Sequence, residues 1–116
     1  MDFKSIFHAI ADKVKEAVQH LQGTDQKISL EELASLIKNN SNTIKSSKRL
    51  LGIDLHEYTV TENDIVFILE TKGTSSTEKI LALTLLKEGK PLIKYRSYEP
   101  KASLDKKISL PEFILP

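Results

Sequence analysis

The chain has 116 residues, 40% of them hydrophobic and 28% charged, with a net charge of +1 and no cysteine. One domain with a packed core is expected. Wholesale disorder, disulfides and cysteine-based zinc sites are excluded, and global charge selects no partner. No segment reads as a signal peptide or reaches membrane-spanning length, so a cytoplasmic protein is the expectation.

Phe3, Ile6, Phe7, Ile10, Val14, Val18 and Leu21 recur at three- and four-residue spacing, which predicts an amphipathic helix over 3–22 ended by Gly23. Ser29-Leu30-Glu31-Glu32 has capping-box spacing and opens a second helix over 30–38, broken by Asn39-Asn40-Ser41-Asn42. A third helix is expected over 42–51, with Ile44, Leu50 and Leu51 as its apolar residues and Gly52 as its end.

His56 to Thr61 alternate like a half-buried strand, and Glu62-Asn63-Asp64 is a turn signal. Ile65-Val66-Phe67-Ile68-Leu69 then reads as a strand buried on both faces, ending in Glu70-Thr71-Lys72. Residues 56–71 are therefore a predicted β-hairpin. For 77–88 the composition suits a helix: Ser75 and Glu78 have capping-box spacing, and Lys87-Glu88-Gly89-Lys90-Pro91 resembles a helix stop. Residues 92–98 follow as a strand, and the apolar tail 99–116 is expected to pack on the domain or on a second copy in a homodimer.

The expected fold is thus α/β (mixed α+β). N-terminal helices (1–52) pack on a small mixed sheet that contains a β-hairpin and one inserted helix (53–98), followed by the tail (99–116).

The order of elements after residue 53, with Asp54 before the hairpin and Glu70-Thr71-Lys72 at its end, resembles the PD-(D/E)XK nuclease superfamily, in the layout of virus-type replication–repair nucleases. Ile53 stands where that family usually has proline, and the following helix lacks its glutamine. The resemblance implies a metal-dependent nuclease acting on DNA. Asp54, Glu70 and Lys72 would be catalytic, and Asp54 and Glu70 would hold Mg²⁺ or Mn²⁺. In such a site the metal lowers the pKa of a bound water, and the lysine positions that water or neutralises developing charge.

A geometric condition attaches to this reading. A three-residue turn at Glu62-Asn63-Asp64 pairs Thr61 with Ile65 and gathers Asp54, His56, Glu70 and Lys72 on one face. A two-residue turn pairing Thr61 with Asp64 turns Asp54 away from Glu70.

Lys38, Lys45, Lys48 and Arg49 form an acid-free basic segment suited to phosphate contacts. The spacing of Leu33, Ala34, Ile37 and Ile44 touches a helix-turn-helix pattern, but the turn lacks glycine. His8, His20 and His56 have no metal-ligand spacing, and no nucleophile–base pair is visible. The reading from another class is a small non-catalytic interaction or regulatory protein. In it, residues 77–98 continue an antiparallel meander and the basic segment 38–49 is available to nucleic acid.

Overall fold

The computed structural model describes residues 5–18, 27–74, 78–97 and 107–109. The elements in chain order are α1 (Ile6–Val18), β1 (Lys27–Ser29), α2 (Leu30–Asn39), β2 (Ile44–Leu50), β3 (Ile53–Glu62), β4 (Ile65–Lys72), β5 (Lys79–Lys87), β6 (Lys90–Arg96) and β7 (Lys107–Ser109). Strands β2 to β6 form one antiparallel meander in sequence order, and β1 pairs with β7.

Two helix starts follow from local sequence. Ser5 caps α1, its Oγ accepting from the Phe7 N–H at 3.1 Å. Ser29 caps α2, accepting from the Glu32 N–H at 3.1 Å as the capping-box spacing predicts. Beyond α2, the Asn40 side chain accepts from the Asn42 N–H at 2.9 Å and turns the chain into β2.

The expected fold is overturned in three places. The sheet is antiparallel throughout rather than mixed, the third helix is strand β2, and the inserted helix is strand β5. Both strand segments end in the same kind of turn. Leu51 and Gly52 have φ of +52° and +80°, and Glu88 and Gly89 have +52° and +82°. Two consecutive left-handed residues make the two-residue hairpin turn that matches strand twist. A glycine after an apolar segment also signals a helix end, so Leu-Gly and Glu-Gly each fit two structures.

Tertiary demand decides between them. β4 is central, and its second ladder needs a partner that β5 supplies. Leu83 and Leu85 of β5 lie opposite Leu69 and Phe67, and all four are buried. That burial at period two outweighs a helix propensity worth tenths of a kcal/mol per residue. The layout of the nuclease resemblance, with a helix between the hairpin and the last strand, is therefore not the one the chain adopts.

One hydrophobic cluster holds the molecule together. It takes Ile6 and Ile10 from α1, Ile28 from β1, Leu30, Leu33, Ala34 and Ile37 from α2, and Tyr58, Val60, Ile65, Phe67, Leu69, Leu83 and Leu85 from the five-stranded sheet. Phe7 meets Phe67 edge-on with ring centroids 6.3 Å apart. β4 is not buried on both faces as expected. Ile65, Phe67, Leu69 and Thr71 are buried, while Val66, Ile68 and Glu70 are half-buried on the other side. The sheet thus has one core face, and among the described residues an opposite face, here called open, on which Val66, Ile68 and Glu70 are half-buried and Ala82 and Thr84 are buried.

The predicted tail lies outside the described residues except for Lys107–Ser109, which pair with β1. Among the described residues, no helix is long and apolar enough to cross a membrane.

Candidate functional site

The hairpin register places the sequence-predicted residues. Glu62 faces Ile65 across a two-residue turn, Asn63-Asp64, so Tyr58 faces Leu69 and Glu57 faces Glu70. Even-numbered residues of β3 therefore share a face with odd-numbered residues of β4. Asp54 and His56 lie on the core face, and Glu70 and Lys72 lie on the open face. This corrects the expected three-residue turn. The carboxylates of Asp54 and Glu70 are separated by the sheet and form no shared metal site.

Asp54 instead meets Arg49 at 3.8 Å, an exposed pair. Glu70 stands between Glu57 of β3 and Ala82 of β5, and Lys72 between Leu55 and Lys79. Among the described residues, no group of three or more histidine or acidic side chains is arranged to hold a metal.

The basic segment also divides. Lys38 pairs with Glu78 at 2.8 Å, and Lys45 sits 5.4 Å from the Tyr58 ring centroid. Lys48 faces Leu55 on the open face, while Arg49 faces Asp54 on the core face. Lys38 and Lys45 thus both approach the Tyr58 ring, at 5.9 and 5.4 Å from its centroid, while Lys48 stands on the opposite face of the sheet from Lys45 and Arg49. The described aromatics Phe7, Phe67, Tyr58 and Tyr95 belong to or pack against the core, so among the described residues the open face has no ring for a base to stack on. His8 is exposed on α1, and His20 lies outside the described residues.

Two polar arrangements went unseen in the sequence. In the first, Glu78 accepts from the Tyr58 hydroxyl at 2.7 Å and the Thr71 hydroxyl at 2.6 Å, besides pairing with Lys38. Its side chain is only 7% exposed. Burial pushes the Glu78 carboxyl up, but hydrogen bonds from Lys38, Thr71 and Tyr58, with the charge of Lys38, outweigh burial and hold it at about 2. Burial, the hydrogen bond to Glu78 and the Glu78 charge push the Tyr58 phenol up to about 12. Every Glu78 partner is structural, and the cluster joins α2, β3, β4 and the residue preceding β5.

In the second arrangement, the Ser47 Oγ lies 2.7 Å from His56 Nδ1, and His56 Nε2 lies 2.8 Å from the Gly73 carbonyl. A carbonyl only accepts, so Nε2 carries the proton and Nδ1 accepts from Ser47. This is a serine–histidine pair, created by the register of β2 on β3. Its third member is a neutral carbonyl rather than a carboxylate, so an imidazolium formed there lacks the charge partner of a Ser-His-Asp triad. The pair ties the loop after β4 to β2. Beside it is a concavity of about 420 Å³, lined in part by Ser46, Glu57, Glu70 and Arg96.

The feature that sequence reading passed over most completely is the β2–β3 hairpin. All seven residues of β2 are exposed. Leu50 and Ile53 flank the turn on the open face at 56% and 48% exposure, and Leu51 at the apex is 94% exposed. Ile44, at the other end of β2, is 73% exposed on the same open face. Lys48 and Arg49 immediately precede this apolar tip.

The β5–β6 hairpin is the internal comparison. It has the same turn, but its tip reads Lys87-Glu88-Gly89-Lys90. One tip is charged, as an exposed turn normally is, and the other is aliphatic. The signal for it was present in the sequence as Leu-Leu-Gly-Ile, assigned there to the end of a helix. No family model matches the chain, and no curated protein or solved structure matches it.

Proposed function

We propose that the chain is a non-catalytic interaction module that engages its partner through the β2–β3 hairpin. The observation that carries this reading is the contrast between two hairpins of one turn geometry. An exposed Leu-Leu-Gly-Ile tip gains nothing for the free domain, because apolar side chains in water forgo burial. Leu51 and Glu88 both hold a left-handed backbone, which costs a non-glycine residue about 1–2 kcal/mol, so the two tips differ in their side chains alone. Asparagine or aspartate would relieve both penalties at position 51. Leucine there, 94% exposed, offers its side chain to something outside the domain.

The nuclease reading loses its support, since its two carboxylates lie on opposite faces and its inserted helix is a strand. Photocrosslinking tests the proposal. With p-benzoylphenylalanine in place of Leu51, the full chain forms a discrete adduct in its source cells, and with the same probe in place of Glu88 it forms none. Equal adducts from both positions, or no adduct with either protein or lipid from position 51, overturn the proposal.

A further inference from the structure

We infer that the partner of the hairpin tip is the surface of an anionic lipid bilayer, into which Leu50, Leu51 and Ile53 insert. This rests on the hairpin being the recognising surface, and adds to it the identity of what is recognised.

The aliphatic side chains of the tip, Leu50, Leu51 and Ile53, are 56%, 94% and 48% exposed, and the neighbouring chain accompanies the hairpin only as far as Gly73, whose N–H donates to the Asp54 carbonyl at 2.9 Å. The described tip contains no tryptophan, tyrosine or phenylalanine, the anchors that dominate protein–protein hot spots. Its cations encircle it. Lys48 projects from the open face and Arg49 from the opposite face, because successive strand residues alternate. A groove on a protein partner would meet one face of the hairpin. A bilayer surrounds a penetrating tip, so its headgroups meet both faces at once.

The spacing fits that geometry. A strand rises about 3.4 Å per residue, so Arg49 and Lys48 lie about 7 and 10 Å behind Leu51. Interfacial segments bury their apolar side about 5–10 Å into the headgroup and acyl boundary. When Leu51 reaches that depth, the two cations stand at the phosphates. Lys72 and Lys79 add positive charge on the open face at this end: Lys72 pairs with Leu55, the partner of Lys48, and Lys79 pairs with Lys72 on the next strand. The nearest acid, Asp54, lies 3.8 Å from Arg49 and offsets part of its charge, so Lys48, Lys72 and Lys79 carry most of the attraction. Glu57 lies four residues behind Ile53, about 14 Å along the strand, and stays above the interface.

Co-sedimentation of the full chain with vesicles tests this. The vesicles are phosphatidylcholine alone or phosphatidylcholine with phosphatidylserine at 3:1, in low and high salt. The protein sediments with the phosphatidylserine vesicles about tenfold more than with phosphatidylcholine alone, and high salt removes most of that difference. Leu51→Glu lowers the partition about tenfold, and Lys48→Gln, which removes one charge, about fivefold.

Leu51→Asn also lowers the partition, yet melts above wild type because asparagine suits the left-handed turn, which separates loss of binding from loss of folding. Glu88→Asn, on the matching hairpin, leaves partition unchanged. The inference is overturned if the wild type does not partition onto anionic vesicles, or if folded Leu51→Asn partitions as the wild type does. A protein adduct from position 51 without vesicle binding overturns the lipid assignment alone. Absence of both overturns the hairpin reading as well.

Discussion

The Nζ of Lys38 lies 2.8 Å from the Glu78 carboxylate, and this contact joins the last turn of α2 to the entry of β5. Tyr58 and Thr71 donate to the same carboxylate from β3 and β4. Glu78→Ala leaves those two hydroxyls and the ammonium without their acceptor. The ammonium still reaches water, since Lys38 is 30% exposed. The expected cost is about 2–3 kcal/mol, read as a lower urea midpoint with an unchanged slope.

The same cluster sets a pH dependence at both extremes. Folding lowers the Glu78 carboxyl from 4.5 to about 2, so its contribution is complete above 4.5 and is lost as pH falls through that window. Folding raises the Tyr58 phenol from 10.0 to about 12, so its contribution is complete below 10 and is lost as pH rises toward 12. Thermal melts across pH show both losses in the wild type. Glu78→Gln removes the acid-side loss, and Tyr58→Phe removes the loss specific to the phenol.

At the apical turn, Leu51→Asn raises stability by about 1 kcal/mol, because asparagine tolerates a φ of +52° that leucine resists. Gly52→Ala lowers it by about 1–2 kcal/mol. A Cβ at Gly52 would meet nothing within 4 Å, so that cost comes from the backbone at φ +80° alone. Chemical denaturation of the two variants gives shifts of opposite sign.

On the open face, Glu57 and Glu70 are direct cross-strand partners. Like charges so placed repel, and Glu70→Gln stabilises the protein by about 0.3–0.5 kcal/mol at low ionic strength. Raising the salt to 1 M shrinks that gain, since screening removes the repulsion it relieves. A Glu70→Gln variant less stable than wild type at low salt would contradict the placement.

Purified protein is expected to leave duplex, single-stranded and branched DNA uncut with Mg²⁺ or Mn²⁺. The two carboxylates of the proposed metal pair lie on opposite faces of the sheet. Cleavage that stops on adding chelator, and that Glu70→Gln abolishes, would reverse this.

What the sequence determined by itself was local. Ser29 and Glu32 identified the start of α2, because a cap is an interaction between residues three apart. The alternation from His56 to Thr61 and the apolar run from Ile65 identified β3 and β4, because period and β-branched content are properties of the segment. Leu51-Gly52 and Glu88-Gly89 were legible as the ends of elements but were read as helix ends rather than hairpin turns, because one glycine serves both equally well.

Only the tertiary structure decided between those two, by requiring a hydrogen-bonded partner on the second side of β4. It also decided the register. A shift of one residue at Asn63-Asp64 transfers every side chain of one strand to the other face, so separation in sequence could not place Asp54 relative to Glu70. Lys38, Tyr58 and Thr71 come from three separate elements and share no motif with Glu78. Folding unites them because a buried carboxylate must find donors wherever the packed elements bring them.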